Sequence, residues 1–387
     1  MNAESAPTSV RVPLHVDREI GRLEGDRPGA TLIAVAAIHG NEQAGIHAAR
    51  RVLARLSQGV HVRGELLVLA GNVGAMREGR RYVLRDLNRV WSDENVAALD
   101  ARPSSTFDAE EREQAELLAA IRAAIARARG PVFLVDLHTT SAAGVPFVLF
   151  GDTLAQRAFA GEMPLPIVLG LEEQLDGVLS AYWTRQGVIT FAVEGGQHRD
   201  PGSVDNLESV LLLAAERAGI FARAAITETA DARALLERRR ADLPRVLEVI
   251  RRHAITAEDA FVMEPGFRNL DFAKATRLLA RDRKGEIRAP RDGMVILPLY
   301  QGQGSDGFFW GRAVSAARLR VSRTLREMGV DRLLPLLPGV ARDGSGPARL
   351  VVERSAARVY PQGMFHLLGY RRMRERGDGL AVERQPD

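Results

Sequence analysis

Four polar stretches hold side chains of the types that bind metal ions and move protons. They are His39-Gly40-Asn41-Glu42, Asp136-Leu137-His138-Thr139-Thr140 and Glu194-Gly195-Gly196, with Arg81-Tyr82-Val83-Leu84-Arg85-Asp86-Leu87-Asn88-Arg89 between the first two. Two histidines, a carboxylate and one open position make a catalytic zinc set, because zinc favours nitrogen and oxygen donors in a four-coordinate arrangement. The open position takes water, whose pKa the metal lowers towards about 7. His39 and Glu42 are three residues apart, so a single turn aims both at one ion. His138 would come from a second strand, and Glu194 is left to serve as general base. An H-x-x-E pair alone is common by chance, and a lone histidine at a strand end more often makes a structural hydrogen bond. The weight lies in the ordered occurrence of three such groups, each directly after an apolar run.

Those apolar runs are the elements that must position the chemistry. Residues 31–38 (TLIAVAAI), 132–137 (VFLVDL) and 188–193 (VITFAV) are apolar almost throughout, as strands covered on both faces tend to be. In open α/β sheets, sites form at the carboxyl ends of such strands. Further strands are expected at 11–16, 65–70, 147–150 and 167–169. Helical spacing runs through 43–56, 108–129, 203–218 and 231–240, and the second of these has acids early and arginines late, as suits the helix dipole. Alternating strands and helices imply an α/β fold. Pro244 is expected to open a short helix to Arg252, since proline suits a first helical turn. Beyond it, 286–300 reads as β-rich, 318–328 as helical and 350–370 as late strands. The expected division is therefore a catalytic domain at 1–245 and a smaller β-rich domain at 246–387.

Composition narrows the classes of function. A chain of 387 residues is long enough for two or three domains. Its 53 basic and 49 acidic residues leave a net charge of +4, and the only lysines are Lys274 and Lys284. Bases and acids are interleaved rather than gathered into a stripe, which argues against a nucleic-acid partner. Hydrophobic residues at 46% and charged ones at 26% are ordinary for a globular protein. Cysteine is absent, so disulfides, thiolate metal sites and a cysteine nucleophile are excluded. The first ten residues lack an apolar core of the signal-peptide kind, and no run of about 18 apolar residues exists. The expectation is a cytoplasmic, soluble protein with no membrane partner; a homo-oligomer is left open.

The motifs HGNE at 39–42, RYVLRDLNR at 81–89, DLHTT at 136–140 and VEGG at 193–196 resemble those of the succinylglutamate desuccinylase/aspartoacylase family, in the zinc carboxypeptidase clan. The resemblance covers residues 30–215, and a weaker one continues through Glu264-Pro265-Gly266 and 287–309. It implies a zinc-carboxypeptidase-like mixed sheet flanked by helices, with a smaller β-rich C-terminal domain. It also implies one zinc ion per chain on His39, Glu42 and His138, with Asp86 orienting His39. Arg81 would polarise the scissile carbonyl and stabilise the oxyanion. Asn88 and Arg89 would grip the carboxylate of an N-acyl amino acid substrate, where a planar guanidinium fits well. Glu194 would activate water and pass its proton to the leaving amine, completing amide hydrolysis to a carboxylate and a free amine. Arg185, nine residues before Glu194, stands near where aspartoacylases place an arginine for a second substrate carboxylate, one residue out of register.

Other readings stand beside these. Arg81 and Arg89 are also explained as surface arginines, and Asp86 and Asn88 as turn residues. Two departures from the family put an acetylaspartate substrate in doubt. Gly195-Gly196-Gln197-His198 replaces the usual glycine-proline run, and the late pocket tyrosine has no clear counterpart, with Tyr300 only a candidate and Phe308 and Phe309 near its place. His198 reads first as a solvent loop residue and second as a substrate contact, and His47 reads as structural. Gly302-Gln303-Gly304-Ser305-Asp306-Gly307 is a literal G-x-G-x-x-G, but no helix opens after it, so a hairpin is the better explanation than a dinucleotide loop. The rival functions are a metallocarboxypeptidase acting on peptides and a non-catalytic small-molecule binding protein on the same fold.

Overall fold

The computed structural model describes residues 16–344, 348–377 and 379–385. The strand expected at 11–16 lies outside the described residues apart from Val16. Eight strands lead the fold: β1 (Glu19–Glu24), β2 (Thr31–Ala36), β3 (Glu65–Ala70), β4 (Val132–Thr140), β5 (Phe147–Leu149), β6 (Ile167–Leu169), β7 (Ile189–Gln197) and β8 (Val246–Ala254). In space they lie in the order β1-β3-β2-β4-β7-β5-β6-β8, and Asp306–Ala313, Gly293–Ile296 and Asp271–Ala273 extend the same sheet. Strands β3, β2, β4 and β7 run parallel, while β1 and β5 pair antiparallel with β3 and β7. The result is a mixed α/β sheet.

Its middle strands are apolar throughout because both faces are covered. Leu32, Ala34, Val135 and Phe191 point into one layer, under helices Ala44–Leu56 and Gly202–Ala218. Their neighbours Ile33, Val35 and Leu134 point into the other, under Ala109–Arg127 and Leu179–Arg185. Each fully buried Leu, Ile or Val adds about 1.5–3 kcal/mol, which leaves no room for polar residues until the strand emerges at its end. The long helix Ala109–Arg127 starts on a capping box, with Asp108 accepting from the Glu111 amide and Glu111 accepting from the Asp108 amide.

Residues 246–254 form strand β8 rather than the expected short helix. Val246 to Val249 are buried between β6 and Asp306–Ala313, with ladder partners on both sides. That pairing outweighs the helix propensity of Leu, Glu and Arg, which is a weak preference. The central sheet thus continues past residue 245, and later strands complete it. Two smaller antiparallel sheets follow, one of Val262–Met263, Leu278–Asp282 and Gly285–Arg288, the other of Val340–Arg342, Arg349–Glu353, Gly379–Glu383 and Arg372–Arg376. Where late strands are expected at 350–370, the strand stops at Glu353 and two short helices follow. A buried ion-pair network ties this last part to the main sheet: Arg371 reaches Asp152 and Glu248, and Arg157 reaches Asp152. Among the described residues, no helix is long and apolar enough to cross a membrane.

Candidate active site

Strand β2 ends at Ala36, and Ala37 then takes a left-handed φ of 56°, which costs an alanine about 1–2 kcal/mol. The turn is held by the Gly71 and Asn72 amides, which donate to the carbonyls of Ala36 and Ala37 at 2.7 and 2.8 Å. It delivers His39, and the Glu42 amide folds back onto the His39 carbonyl at 3.0 Å. Gly40 lies so close to the helix at Val73–Arg77 that a Cβ would sit 2.3 Å from the Ala75 carbonyl carbon. Only glycine allows that approach, and the Gly40 amide donates to the Arg81 carbonyl at 3.0 Å, which joins two of the four motifs.

His39, Glu42 and His138 converge, all buried, with their donor atoms within 4.8 Å of one another. Both imidazoles turn Nδ1 towards the Glu42 carboxylate, at 2.8 Å for His39 and 3.0 Å for His138. Each ring's Nε2 faces a different carboxylate: Asp86 lies 3.0 Å from His39, and Asp136 lies 2.9 Å from His138. A proton kept at Nε2 leaves the Nδ1 lone pair directed inward, which is the arrangement metal-binding histidines use. Burial alone would push the Glu42 carboxyl up, but the neighbouring His39 and His138 outweigh it and hold it well below the usual carboxylate range. Asp86 is likewise held low against burial, by His39 and then Arg81. Against its own desolvation, His138 is raised well above an ordinary imidazole by Asp136 and Glu42. Donor types and geometry fit a divalent metal ion.

Arg81 lies against this cluster. Its Nε and NH2 donate to Asp86 at 3.2 and 3.0 Å, and NH1 reaches Glu42 at 3.3 Å. Asp86 also accepts from the Asn88 amide at 2.8 Å, so the turn role and the site role coincide in one carboxylate. Glu194 is the register partner of His138 on the adjacent parallel strand, and a bulge follows immediately. Gly196 takes up that bulge with a φ of 125°, open essentially to glycine alone. The Glu194 carboxyl is buried, and its Oε2 has no hydrogen-bond partner among the described residues. Burial foremost, reinforced by Glu42 and Asp136, pushes it up to about 8.

Asn88 and Arg89 also reach the cavity. The Asn88 Oδ1 accepts from the Leu179 amide at 2.8 Å, which locks the side chain beside His138. The guanidinium of Arg89 donates to Asp306 at 3.0 Å. Arg185 is the exception, being absent from the cavity wall. Its guanidinium lies over the Tyr182 ring, 3.7 Å from Asp93. Tyr300 is also elsewhere: its hydroxyl donates to the Glu264 carbonyl at 2.7 Å on the surface. Phe309 lines the cavity, while its strand neighbour Phe308 faces the opposite layer and stacks on His253.

Two contributions go beyond the site residues named from the sequence. Asp136 was readable as two residues before His138 on one strand, which puts both on one face. Glu110 carried no signal, yet its buried carboxylate accepts the amides of Val83 and Leu84 at 2.7 and 2.9 Å and holds the arginine-bearing loop in place. The hairpin expected at 302–307 supplies the roof of the cavity. Leu297, Pro298, Leu299, Gln301, Gly304, Ser305 and Asp306 come from the hairpin between Gly293–Ile296 and Asp306–Ala313, and this hairpin contains the G-x-G-x-x-G. Gln301 meets Asn41 and His198, and Gln303 meets Arg81. His198 is therefore not a solvent residue: it bridges Thr139 at 2.8 Å and Gln301 at 3.2 Å. The cavity measures about 850 Å³ including its open mouth.

The catalytic-domain model of the succinylglutamate desuccinylase/aspartoacylase family matches residues 28–214. A succinylglutamate desuccinylase of Burkholderia thailandensis is 29% identical over 271 residues, covering 67% of this chain and 72% of that one. One from Burkholderia lata is 35% identical over 121 residues, but that stretch spans 31% of this chain and only 33% of the relative. The crystal structure of succinylglutamate desuccinylase from Vibrio cholerae shares the fold, with a TM-score of 0.53 at 17% identity over 75% of this chain and 83% of that one. Over residues 28–214, the chain is thus similar to the catalytic domain of the succinylglutamate desuccinylase/aspartoacylase family.

Proposed function

We propose that this protein is a zinc-dependent deacylase that hydrolyses the amide bond of a small N-acyl amino acid, releasing a carboxylate and a free amine. The observation that carries the reading is the convergence of His39, Glu42 and His138 on one point, with Glu194 beside His138 and Arg81 beside Glu42. The two histidines and Glu42 would hold the ion. When bound, zinc supplies Lewis acidity to water and to the scissile carbonyl.

The protein's own groups do the rest. Arg81, fixed by Asp86, offers positive charge to the amide oxygen as it becomes an oxyanion. Glu194 takes a proton from the attacking water as the new C–O bond forms, then gives it to the nitrogen as the C–N bond breaks. Its burial keeps its basicity suited to both transfers. Arg89 and Asn88 anchor the substrate carboxylate. The roof covers part of the cavity, which favours small substrates over peptides. We also propose that residues 1–245 and 246–387 divide the labour, the first carrying the reacting groups and the second the roof.

The test is release of primary amine from a panel of N-acyl amino acids by the zinc-loaded chain, beside Glu194→Gln. Turnover of at least one substrate, abolished in the variant, supports the reading. No turnover across neutral, acidic and basic substrates contradicts it and favours a binding protein.

A further inference from the structure

One wall of the cavity is unlike the rest. Leu149, Leu171, Leu175, Val178 and Phe309 line it and belong to a single apolar cluster. Into this wall the sequence places one carboxyl, Glu172, on a short helical turn between Leu171 and Leu175. The residue is 3% exposed. One of its oxygens accepts from the Ser180 hydroxyl, and Oε2 has no hydrogen-bond partner among the described residues. A buried oxygen left so carries a desolvation penalty that a bound partner would remove. Burial foremost, with Glu173 and Asp136 adding, pushes this carboxyl up to about 8. A cation brought beside it would restore its charged form.

The charges around the cavity point the same way. Glu42, Asp86, Glu172, Glu194 and Asp306 line it against Arg81 and Arg89. Both arginines are already engaged, Arg81 by Asp86 and Glu42 and Arg89 by Asp306. Arg185, the cation expected to meet a second substrate carboxylate, lies outside the wall. A second carboxylate on the substrate would therefore meet leucines and an acid.

We propose that Glu172 is a specificity-determining residue, and that the apolar wall selects a substrate with one carboxylate and an aliphatic arm ending in a cation. The proposal rests on the deacylase reading of the same site. The amine-bearing arm belongs either to the amino-acid side chain or to the acyl group, and the chemistry at Glu172 is the same for both.

The experiment compares kcat/KM of the zinc-loaded chain on two series. In the first the side chain varies: Nα-acetyl-lysine, Nα-acetyl-norleucine and N-acetylglutamate. In the second the acyl group varies: 6-aminohexanoyl-glycine, hexanoyl-glycine and succinyl-glycine. In one series the amine should be favoured over its neutral counterpart by tenfold or more, and over the acid by more still. That series identifies which arm enters the wall. Glu172→Gln, close in shape to the original, should remove the preference, so that the amine and its neutral counterpart are turned over with similar kcat/KM.

Binding of the same compounds by calorimetry to the Glu194→Gln chain supplies a readout that does not need turnover. Absence of turnover with tighter amine binding would overturn the deacylase reading and keep the selectivity. Equal binding of amine and neutral compounds, preference for the acids, or a preference that survives Glu172→Gln would overturn the selectivity. If Glu172→Gln does not fold, the ranking in chains that retain Glu172 still decides.

Discussion

His138 and Glu194 are register partners on adjacent parallel strands, so residues distant in sequence present their side chains together at one sheet end. Pairing of β4 with β7 sets this relationship, and the bulge after it ends the pairing where the cavity begins. It leads to the first prediction. Glu194→Gln keeps the size of the side chain and removes its basicity, so turnover should fall by about 10²–10⁴-fold while metal content is unchanged. Amine-release rates and elemental analysis on the same preparation check it. A near-normal rate would remove Glu194 from proton transfer.

Asp136 holds His138 as Asp86 holds His39. Asp136→Asn should weaken metal affinity by about 10–100-fold, because the amide no longer fixes the imidazole proton at Nε2. Competition with a graded chelator measures this. Unchanged affinity would mean that strand geometry alone orients the ring.

The Arg89 guanidinium is the expected anchor for the substrate carboxylate. Loss of charge-assisted hydrogen bonds worth about 1.5–3 kcal/mol should raise KM by roughly 10–100-fold in Arg89→Ala, with a smaller effect on kcat. Arg89→Lys should recover only part, since a point charge cannot match the planar fork. Steady-state kinetics on a single substrate separate the two constants, and an unchanged KM would contradict the assignment.

Much of this site was legible in the sequence because strands covered on both faces betray themselves as apolar runs, so the polar residues that end them stand out. His39, Glu42, His138 and Glu194 stand out that way as candidates, while Arg81, Asp86, Asn88 and Arg89 need the family resemblance. What escaped depended on tertiary contact. Residues 246–254 mix β-branched Val246, Val249 and Ile250 with helix-forming Leu, Glu and Arg, and pairing with β6 and Asp306–Ala313 decides for a strand. Arg185 was placed by its spacing from Glu194, but spacing does not fix which way a helix's last turn points. Glu110 and Glu172 look like ordinary helix glutamates until the fold buries them.

The buried network at Asp152 predicts a pH dependence of stability. Against burial, Arg371 and then Arg157 lower its pKa from 3.8 to about 2. A carboxyl depressed on folding stabilises above its unfolded pKa and loses that contribution as pH falls through the folded value. The shift corresponds to about 2 kcal/mol, present at pH 7 and lost between roughly pH 4 and 2. Asp152→Asn should cost about that much at pH 7, and its deficit relative to the unsubstituted chain should shrink as pH is lowered. Denaturant unfolding at a series of pH values tests this; a constant deficit would assign the cost to packing.

The most direct test of the account is metal content by elemental analysis of the untagged protein, offered zinc and freed of excess, beside His138→Ala treated identically. The account predicts about one zinc per chain, lost in the variant. A chain that retains no metal, or a variant that retains as much as the unsubstituted protein, would contradict it.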